Sequence, residues 1–566
     1  MAFGMCVGLT ACGGGKGTTG SSDATAQAAS MPTSDAEAYR FLTQASFGPT
    51  PAQAAHVRAI GYSAWIDEQF AAPVSSTHLA TVQASAAALH RSYPMADDVA
   101  RSWWTHAIAD DGAQLRHRVA FALSEIFVVS TSSLDRGDMV ASYLDMLTQH
   151  ADGNYRDLLE AVALHPAMGQ FLSHRGNQKE DGKGRVPDEN FAREVMQLFS
   201  IGLYELDDSG QPSLVNGQPV ETYGTADVQG LAKVFTGFSW NKLNTTGLAW
   251  WVCFWRGPAC QNDTQFVLPM EAYPEAHSTS EKRFLGVTIP AQETAAPATS
   301  LKMALDRLAS HHNTAPFISK QLIQRLVTSN PSDQYVSDIT RVFRQSNGNL
   351  KSVVKAILLH SEARQVPSTG SAAFSGYGKL REPLLRATHL LRALPHASAQ
   401  YTAGGAAPFY FAIDTSDPGT ALGQSPMRSP SVFNFFRPGY KAPQSRTAAA
   451  NLVAPEMQIT NETSVLGYAN FVGNMLDQGW GQWNSTRQQL DVQFDYSAWT
   501  SMASTPTTLI DAIARQLLGQ VLPEARRSLA IEALQAMPKS SATQIRRCVE
   551  AAILLVATSP DFVVQQ

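Results

Sequence analysis

The chain has 566 residues, of which 44% are hydrophobic and 16% charged, and its formal net charge is -5 at pH 7. This length and composition allow two or more hydrophobic cores. The slightly acidic balance gives no electrostatic reason to expect a nucleic-acid partner. No stretch reaches the roughly 18 consecutive apolar residues of a membrane span, so we expect membrane contact only through a lipid anchor.

The first residues, MAFGMCVGLTACGGG, contain a short apolar run that ends at Cys12. The run resembles a bacterial lipobox, in which a cysteine is lipidated after signal cleavage, although the usual positively charged segment before it is missing. The following residues, up to 34, are rich in Gly, Ser, Thr and Ala and predict a flexible tether. We expect an exported, lipid-anchored protein, periplasmic or at the cell surface. The alternative is a short disordered tail with incidental cysteines.

Helical periodicity dominates the rest of the chain. Thr50 and Pro51 begin one helix, as cap and first-turn residue, and Gly61 ends it. Further helices are predicted near 97–110, 113–130, 138–149, 154–163, 187–201, 226–236, 298–310, 314–328, 333–345, 349–359, 378–394, 461–476, 506–518, 523–537 and 541–558. The pattern predicts a mainly α fold with a multi-helix core.

Two stretches interrupt the helices. Residues 203–290 begin with turn signals, among them Asn216-Gly217, and predict a small β-hairpin followed by an aromatic lobe. Residues 398–453 predict long ordered loops, which are often functional. The predicted regions are a leader and tether (1–34), an N-terminal helical region (35–202), a β-hairpin and Trp-rich lobe (203–297), a central helical region (298–397), a long loop region (398–460) and a C-terminal helical region (461–566).

The predicted helix PDENFAREVMQLFSIG, residues 187–202, carries chemistry on one face. At about 100° per residue, its apolar side chains share one face and an adjacent face contains Asn190, Arg193, Glu194 and Gln197. Glu194, with amides and an arginine beside it, is a candidate general base or substrate anchor. The alternative is a helix-packing salt bridge between Arg193 and an acid, because buried charges persist only when paired.

A second candidate is HSTSEK, residues 277–282, which offers a base, two hydroxyls, an acid and an ammonium. His277 can move protons near neutral pH, and Lys282 can stabilise developing negative charge. In an enzyme, we expect Glu194 and His277 to be catalytic on one cleft, with Asn190, Arg193 and Lys282 as binding groups. The alternative is a polar loop that caps neighbouring helices.

Aromatic residues concentrate between 235 and 255. Trp240, Trp251 and Trp255 are candidates for a platform that stacks on sugar rings or another flat ligand. A second loop, FNFFRPGY at 433–440, could close over the same surface, with Arg437 binding carboxylates or neutralising acids. The alternative is a hydrophobic cluster that joins the lobe to the helices.

The cysteines and the missing motifs limit other chemistry. Cys253 and Cys260 are seven residues apart around a Gly-Pro turn, and could form a disulfide in an oxidising compartment or remain reduced thiols. The usual His and Cys spacings of metal sites are absent, as are phosphate and dinucleotide loops. We therefore predict no metal and no cofactor.

Several segments, together with the helix at 187–202, resemble the signature of one bacterial family. They are RFLTQASFGPTP (40–51), LRHRVAFALSEIFVVS (115–130), HPAMGQFL (165–172), HSTSEKRFLG (277–286), SPSVFNFFRPGY (429–440) and PEMQITNETSVLGY (455–468). The family is catalogued as domain of unknown function 1800. The resemblance covers nearly the whole chain after the leader, and it implies no established activity.

Two functions remain open on the sequence. The first is an extracellular or envelope enzyme, a hydrolase or lyase acting on a polysaccharide or another extracellular polymer, as the polar motifs beside aromatic loops indicate. The second is a non-catalytic binding or assembly protein of the cell envelope, since no standard catalytic motif is present. A single cleft containing Glu194, His277 and exposed tryptophans would favour the first.

Overall fold

The computed structural model describes residues 31–109, 112–368, 371, 376–398, 414–485 and 487–566. Cys12 and the tether up to residue 30 lie outside this part, as do residues 399–413 of the predicted loop region. Within it, the fold is mainly α, as predicted: 25 α-helices accompany sheets of only two or three strands. None of the described helices combines the length and apolar character needed to cross a membrane.

In the described residues before 255, the chain forms twelve helices. They are α1 (Asp35–Ala45), α2 (Pro51–Ile60), α3 (Tyr62–Ala71), α4 (His78–Ala88), α5 (Ala96–Ala109), α6 (Gln114–Ser124), α7 (Gly137–Gln149), α8 (Tyr155–Leu164), α9 (Pro166–Phe171), α10 (Asn190–Gln197), α11 (Thr225–Val234) and α12 (Trp250–Phe254). The start of α2 is the predicted one: Thr50 accepts a hydrogen bond from the Gln53 amide, and Pro51 opens the first turn.

The described helices after residue 255 complete the core. They are α13 (Pro297–Ser310), α14 (Thr314–Leu326), α15 (Asp333–Gln345), α16 (Leu350–Leu359), α17 (Ser361–Arg364), α18 (Pro383–Ala393), α19 (Arg446–Ala449), α20 (Glu462–Gln478), α21 (Ser497–Thr500), α22 (Pro506–Leu518), α23 (Glu524–Gln535), α24 (Ala542–Ala557) and α25 (Pro560–Val563). A continuous cluster of buried hydrophobic side chains extends from Ala38 to Phe562. Most of the described helices are therefore stabilised mainly by their apolar faces.

The strands form small antiparallel sheets. The predicted hairpin is β1 (Leu214–Val215) and β2 (Gln218–Pro219), joined at Asn216-Gly217. The other two-stranded pairs are β3 (Phe238–Ser239) with β4 (Glu271–Ala272), β5 (Lys282–Phe284) with β6 (Val287–Ile289), and β7 (Lys379–Leu380) with β11 (Val564–Gln565). A three-stranded sheet has the order β8 (His396–Ser398), β10 (Gln489–Phe494), β9 (Trp480–Asn484).

The helix predicted at 113–130 is shorter in the structure. It ends at Ser124, and the chain turns at Glu125. The next residues, Ile126 to Val129, are all buried. Two reasons explain the difference. β-branched residues such as Ile126, Val128 and Val129 have a low helix propensity. In addition, this segment is buried on all sides, so it lacks the alternation of apolar and polar faces that is typical of a surface helix.

The helix predicted at 187–201 also differs, because it begins at Asn190 and ends at Gln197. The side-chain amide of Asn177 accepts a hydrogen bond from the backbone N–H of Asp188 and donates one to its carbonyl. These two bonds hold Asp188 outside the helix. The Asp188 carboxylate then accepts the Asn190 amide at 2.8 Å. Gly202 closes the turn with φ +74°, where an added Cβ would lie 2.8 Å from the ring of Phe317.

Candidate functional site

A groove of about 970 Å³ lies between α14 and the loops that follow α10 and precede α20. One face of α14 forms its floor, because helix positions three, four, seven and eight apart point the same way. These positions are Phe317, Lys320, Gln321, Gln324 and Arg325. The opposite face of α14 packs into the hydrophobic core, so the helix that shapes the groove is fixed on its other side.

The groove walls are mostly apolar. They contain Leu198, Leu203, Leu206, Val432, Phe433, Pro438, Leu452 and Val453. Of the cations at the groove, Lys320 already donates to the Gly210 carbonyl at 2.9 Å, and Lys441 donates to the Asn451 side chain. The guanidinium of Arg437 lies 4.5 Å from the ring centre of Phe433. The walls therefore suit a ligand whose surface is mainly apolar and carries few polar groups.

An ion pair lies at the bottom of the groove. The carboxylate of Glu125 is 3.2 Å from the guanidinium of Arg325, and each residue is 5% exposed. The Arg325 guanidinium also donates to the Glu125 carbonyl at 2.9 Å, and the Asn434 amide donates to the Glu125 carboxylate at 2.9 Å. Asn434 adopts φ +61°, a conformation that asparagine tolerates better than most residues.

More buried charges surround this pair. Lys379 and Glu456 form an ion pair of 2.9 Å in which both side chains are 2% exposed. Lys379 and Arg118 each donate to the Arg325 carbonyl, at 3.0 and 2.7 Å. Glu382 accepts the Gln424 amide at 2.9 Å. Buried charges require partners of this kind, so the floor is a connected polar network.

Burial and the nearby negative charge of Glu382 raise the pKa of Glu125 to about 7. The positive charges of Arg325, Lys379 and Arg118 act in the opposite direction and lower it. Glu125 therefore exchanges its proton near neutral pH at the base of a groove. A titratable group with a strongly shifted pKa in a cleft is a candidate functional residue.

Two buried donors on the same face of α14 lack a hydrogen-bond partner in the described part of the chain. They are Nε2 of Gln321 and Nε of Arg325. The two residues are 8% and 5% exposed, and both line the groove. Because buried polar groups are nearly always hydrogen-bonded, these two donors call for an acceptor such as water or a ligand oxygen, and Oε2 of Glu125, which also lacks a hydrogen-bond partner in the described part of the chain, calls for a donor.

Glu194, predicted as catalytic, lies beside the groove without lining it. Its side chain is buried, burial raises its pKa, and its Oε2 has no hydrogen-bond partner among the described residues. Gln197 and Leu198, one turn further along the chain, do line the groove. The polar face predicted for this helix is thus divided between the interior, the groove and the exposed surface.

Arg193 and Asn190, predicted as binding groups, are exposed. The Arg193 guanidinium pairs with Glu189 at 3.2 Å on the protein surface. Asn190 lies at the start of α10, where its side chain is 3.5 Å from the Ser173 hydroxyl. The salt bridge considered as the alternative to a catalytic face is therefore present, but it is solvent-exposed and pairs Arg193 with Glu189, not Glu194.

His277 and Lys282 lie in the interior, and neither lines the groove. His277 donates from Nδ1 to the Thr236 carbonyl at 2.8 Å, and its Nε2 is 3.2 Å from the Ser300 hydroxyl. Burial lowers the pKa of His277 to about 4 and that of Lys282 to about 8. The structure does not bring these residues to the groove, because HSTSEK runs beneath α11 and into β5.

The tryptophan-rich lobe presents only part of the predicted platform. Trp240 is buried, with the guanidinium of Arg175 at 4.3 Å from its ring. Trp251 on α12 and Trp255, the residue that follows α12, are 55% and 56% exposed. A disulfide bond between Cys253 and Cys260 ties this helix to the following turn. None of the three tryptophans lines the groove.

Arg437 is the predicted binding residue that the structure places at the groove. Glu125, Gln321 and Arg325 were not singled out from the sequence. One signal was available for Glu125, an acid enclosed by the apolar run FALSEIFVV. Among the described residues, no cluster of three or more His, Cys, Asp or Glu side chains could hold a metal ion.

The sequence matches the family described as "Protein of unknown function (DUF1800)" over residues 40–564. The match covers nearly all of the described part of the chain, including every segment that forms the groove and its floor. The chain matches no curated protein and no solved structure.

Proposed function

Because the chain belongs to the DUF1800 family of proteins of unknown function, we propose its function from the groove: it is a cell-envelope binding protein that takes an elongated, largely apolar ligand. The observation that carries the proposal is the apolar lining of a groove of about 970 Å³ above a buried polar floor. Small-molecule sites commonly have this size and this combination of apolar walls with a few polar groups.

The location in the envelope rests on the first residues and on the lobe. The lipobox-like run ending at Cys12 supports export and lipid anchoring. The Cys253–Cys260 disulfide is compatible with an oxidising compartment. Mass spectrometry of the native protein, extracted from membranes, tests the anchor: we expect a diacyl or triacyl group on Cys12. An unmodified Cys12 in that fraction would contradict it.

A second candidate function is the hydrolase or lyase acting on an extracellular polymer. The observation in its favour is Glu125, whose pKa near neutrality suits a general acid or base. The groove walls argue against a polysaccharide, because most of their surface is apolar and the exposed tryptophans lie elsewhere. Incubation with extracellular polymers and analysis for new reducing or unsaturated ends tests it. Product formation that Glu125→Gln abolishes would place catalysis ahead of binding.

The binding proposal is tested with a neutral apolar dye such as N-phenyl-1-naphthylamine. We expect saturable binding that weakens several-fold in Leu203→Asp, because Leu203 lines the groove yet is exposed enough for the variant to fold. Leu529→Asp is the matched control, since Leu529 is also exposed and lies outside the groove. Absence of binding, or equal binding in both variants, would refute the proposal.

A further inference from the structure

We propose that the floor of the groove is a carboxylate-binding subsite, at which Gln321 and Arg325 bind the carboxylate of a ligand whose apolar body lies along the walls. This inference rests on the proposed binding function, because it names the head group of the same ligand. Both residues lie on one face of α14, one helical turn apart.

The first argument is the pair of unpaired donors. Nε2 of Gln321 and Nε of Arg325 are buried and have no hydrogen-bond partner in the described part of the chain. A buried donor that loses water without gaining an acceptor destabilises the protein. An oxygen-bearing ligand in the groove supplies that acceptor. The planar guanidinium of arginine matches the two oxygens of a carboxylate in particular.

The second argument is charge. Of the cations that line the groove in the described part of the chain, Arg325 is the buried one, and Glu125 already lies 3.2 Å from it. A singly charged carboxylate beside Glu125 is tolerated once the two acids share one proton, as paired carboxyl groups do. A phosphate brings a second negative charge that this floor does not balance. The charge of the site therefore favours a carboxylate.

Glu125 supplies the shared proton. Burial raises its pKa to about 7, and Glu382 acts in the same direction, whereas Arg325, Lys379 and Arg118 lower it. These are the charged groups that face Glu125 from the neighbouring elements. Protonated Glu125 no longer repels a second carboxylate and no longer competes with it for Arg325. Ligand binding is thus coupled to the uptake of one proton, and affinity rises as pH falls through this pKa.

The experiment compares decanoate with decanol by isothermal titration calorimetry on the full chain at pH 6 and pH 8. We expect decanoate to bind about tenfold more tightly at pH 6, as one linked proton requires, and decanol to bind equally at both. Glu125→Gln should bind decanoate at pH 8 as tightly as the unmodified protein does at pH 6.

Gln321→Leu provides a variant that should fold, since it replaces an unpaired buried amide by a hydrocarbon of similar size. It should weaken decanoate binding several-fold and leave decanol binding unchanged. Gln535→Leu is the control, because Gln535 is exposed at the end of α23, lies outside the groove and should leave the preference for decanoate intact.

A second pair of probes distinguishes the source of the carboxylate: acetyl-trileucine with a free C-terminus, and the same peptide amidated. The inference is supported if decanoate or the free-acid peptide binds more tightly than its neutral analogue and shows the pH dependence and the variant effects given above. The acid that is preferred shows whether the apolar part of the ligand is an acyl chain or a peptide. Binding of decanol without preference for either acid over its neutral analogue would overturn the subsite alone. Absence of all binding would overturn the groove function with it.

Discussion

The buried ion pair of Arg325 and Glu125 makes the stability of the protein depend on single side chains. Both are 5% exposed, and Arg325 also contacts the carbonyl of Glu125. Removing one partner of a buried pair leaves an uncompensated charge. Arg325→Met should therefore lower the free energy of unfolding by about 3–5 kcal/mol, measured by urea denaturation at pH 8.

The control for this prediction is Arg193→Ala. Arg193 and Glu189 form an ion pair whose side chains are 46% and 35% exposed. Solvent screens such pairs, so the loss should stay below about 1 kcal/mol. The double variant Glu125→Gln/Arg325→Met should recover part of the loss, because no unpaired charge remains. Equal unfolding midpoints for Arg325→Met and the unmodified protein would contradict the burial of the pair.

At this scale the sequence predicted residue types better than residue positions. Arg437, predicted on a loop over the tryptophan surface, lines the groove, whereas His277, predicted on one cleft with Glu194, is fully buried. The reason is physical: His277 satisfies both ring nitrogens with a carbonyl and a hydroxyl from other elements, and sequence does not show such partners. Glu125 was missed because its neighbours predicted a continuous helix.

Among the elements, α11 and β5 approach each other most closely at Gly230. A Cβ at this position would lie 1.7 Å from the Arg283 carbonyl oxygen, which belongs to β5. Gly230→Ala must therefore displace either the helix or the strand. We expect the free energy of unfolding to fall by at least about 1–3 kcal/mol, measured by chemical denaturation.

Gly473, inside α20, is the matched control for Gly230. Its Cβ would have its nearest neighbour at 3.9 Å, an ordinary contact. Alanine is the better helix former by about 1 kcal/mol, so Gly473→Ala should raise stability by up to that amount. Similar losses in both variants would show that helix–strand approach is not the cause.

The disulfide between Cys253 and Cys260 constrains the element that carries Trp251 and Trp255. Closing a loop of this length stabilises a protein by about 2–3 kcal/mol in the chain-entropy model. The double replacement Cys253→Ser/Cys260→Ser should lower stability by this amount and leave dye binding in the groove unchanged. Weaker dye binding would indicate that the lobe supports the groove.

Much of the element pattern was predictable from periodicity and caps. The start of α2 at Pro51 and the hairpin at Asn216-Gly217 follow from local chemistry alone. Local chemistry also explains α18, which begins at Pro383 and not at 378, because a residue before proline favours extended backbone. By contrast, β10 pairs with β8 across a long sequence separation, and no local signal specifies such pairing.

For the whole molecule, buried histidines set the response to acid. In the described residues, burial lowers the pKa of nine histidines, among them His165 to about 3 and His174 and His311 to about 4. An unfolded histidine binds its proton near pH 6.5. Between pH 6.5 and 4 the unfolded state therefore binds more protons, and stability should fall as pH is lowered through this window.

Glu125 acts with the opposite sign, because its raised pKa lets the folded state bind the extra proton between about pH 4.5 and 7. Glu125→Gln should thus make the loss of stability toward acid steeper. Melting temperatures recorded from pH 4 to pH 7 measure both effects. A melting temperature that rises as pH falls from 6.5 to 4 would contradict the role assigned to the histidines.

The contacts at the groove floor join parts of the chain that are far apart in sequence. Arg325 and Glu125 are separated by 200 residues, and Asn434 and Glu125 by 309. Gln565 donates to the carbonyls of Leu326 and Val327, at the end of the helix that bears Arg325. We expect contacts of such long range to form late in folding, because loop-closure entropy is lost before they are made. The proposed ligand needs the finished floor, so it should lengthen the lifetime of the folded protein and leave the speed of its formation unchanged.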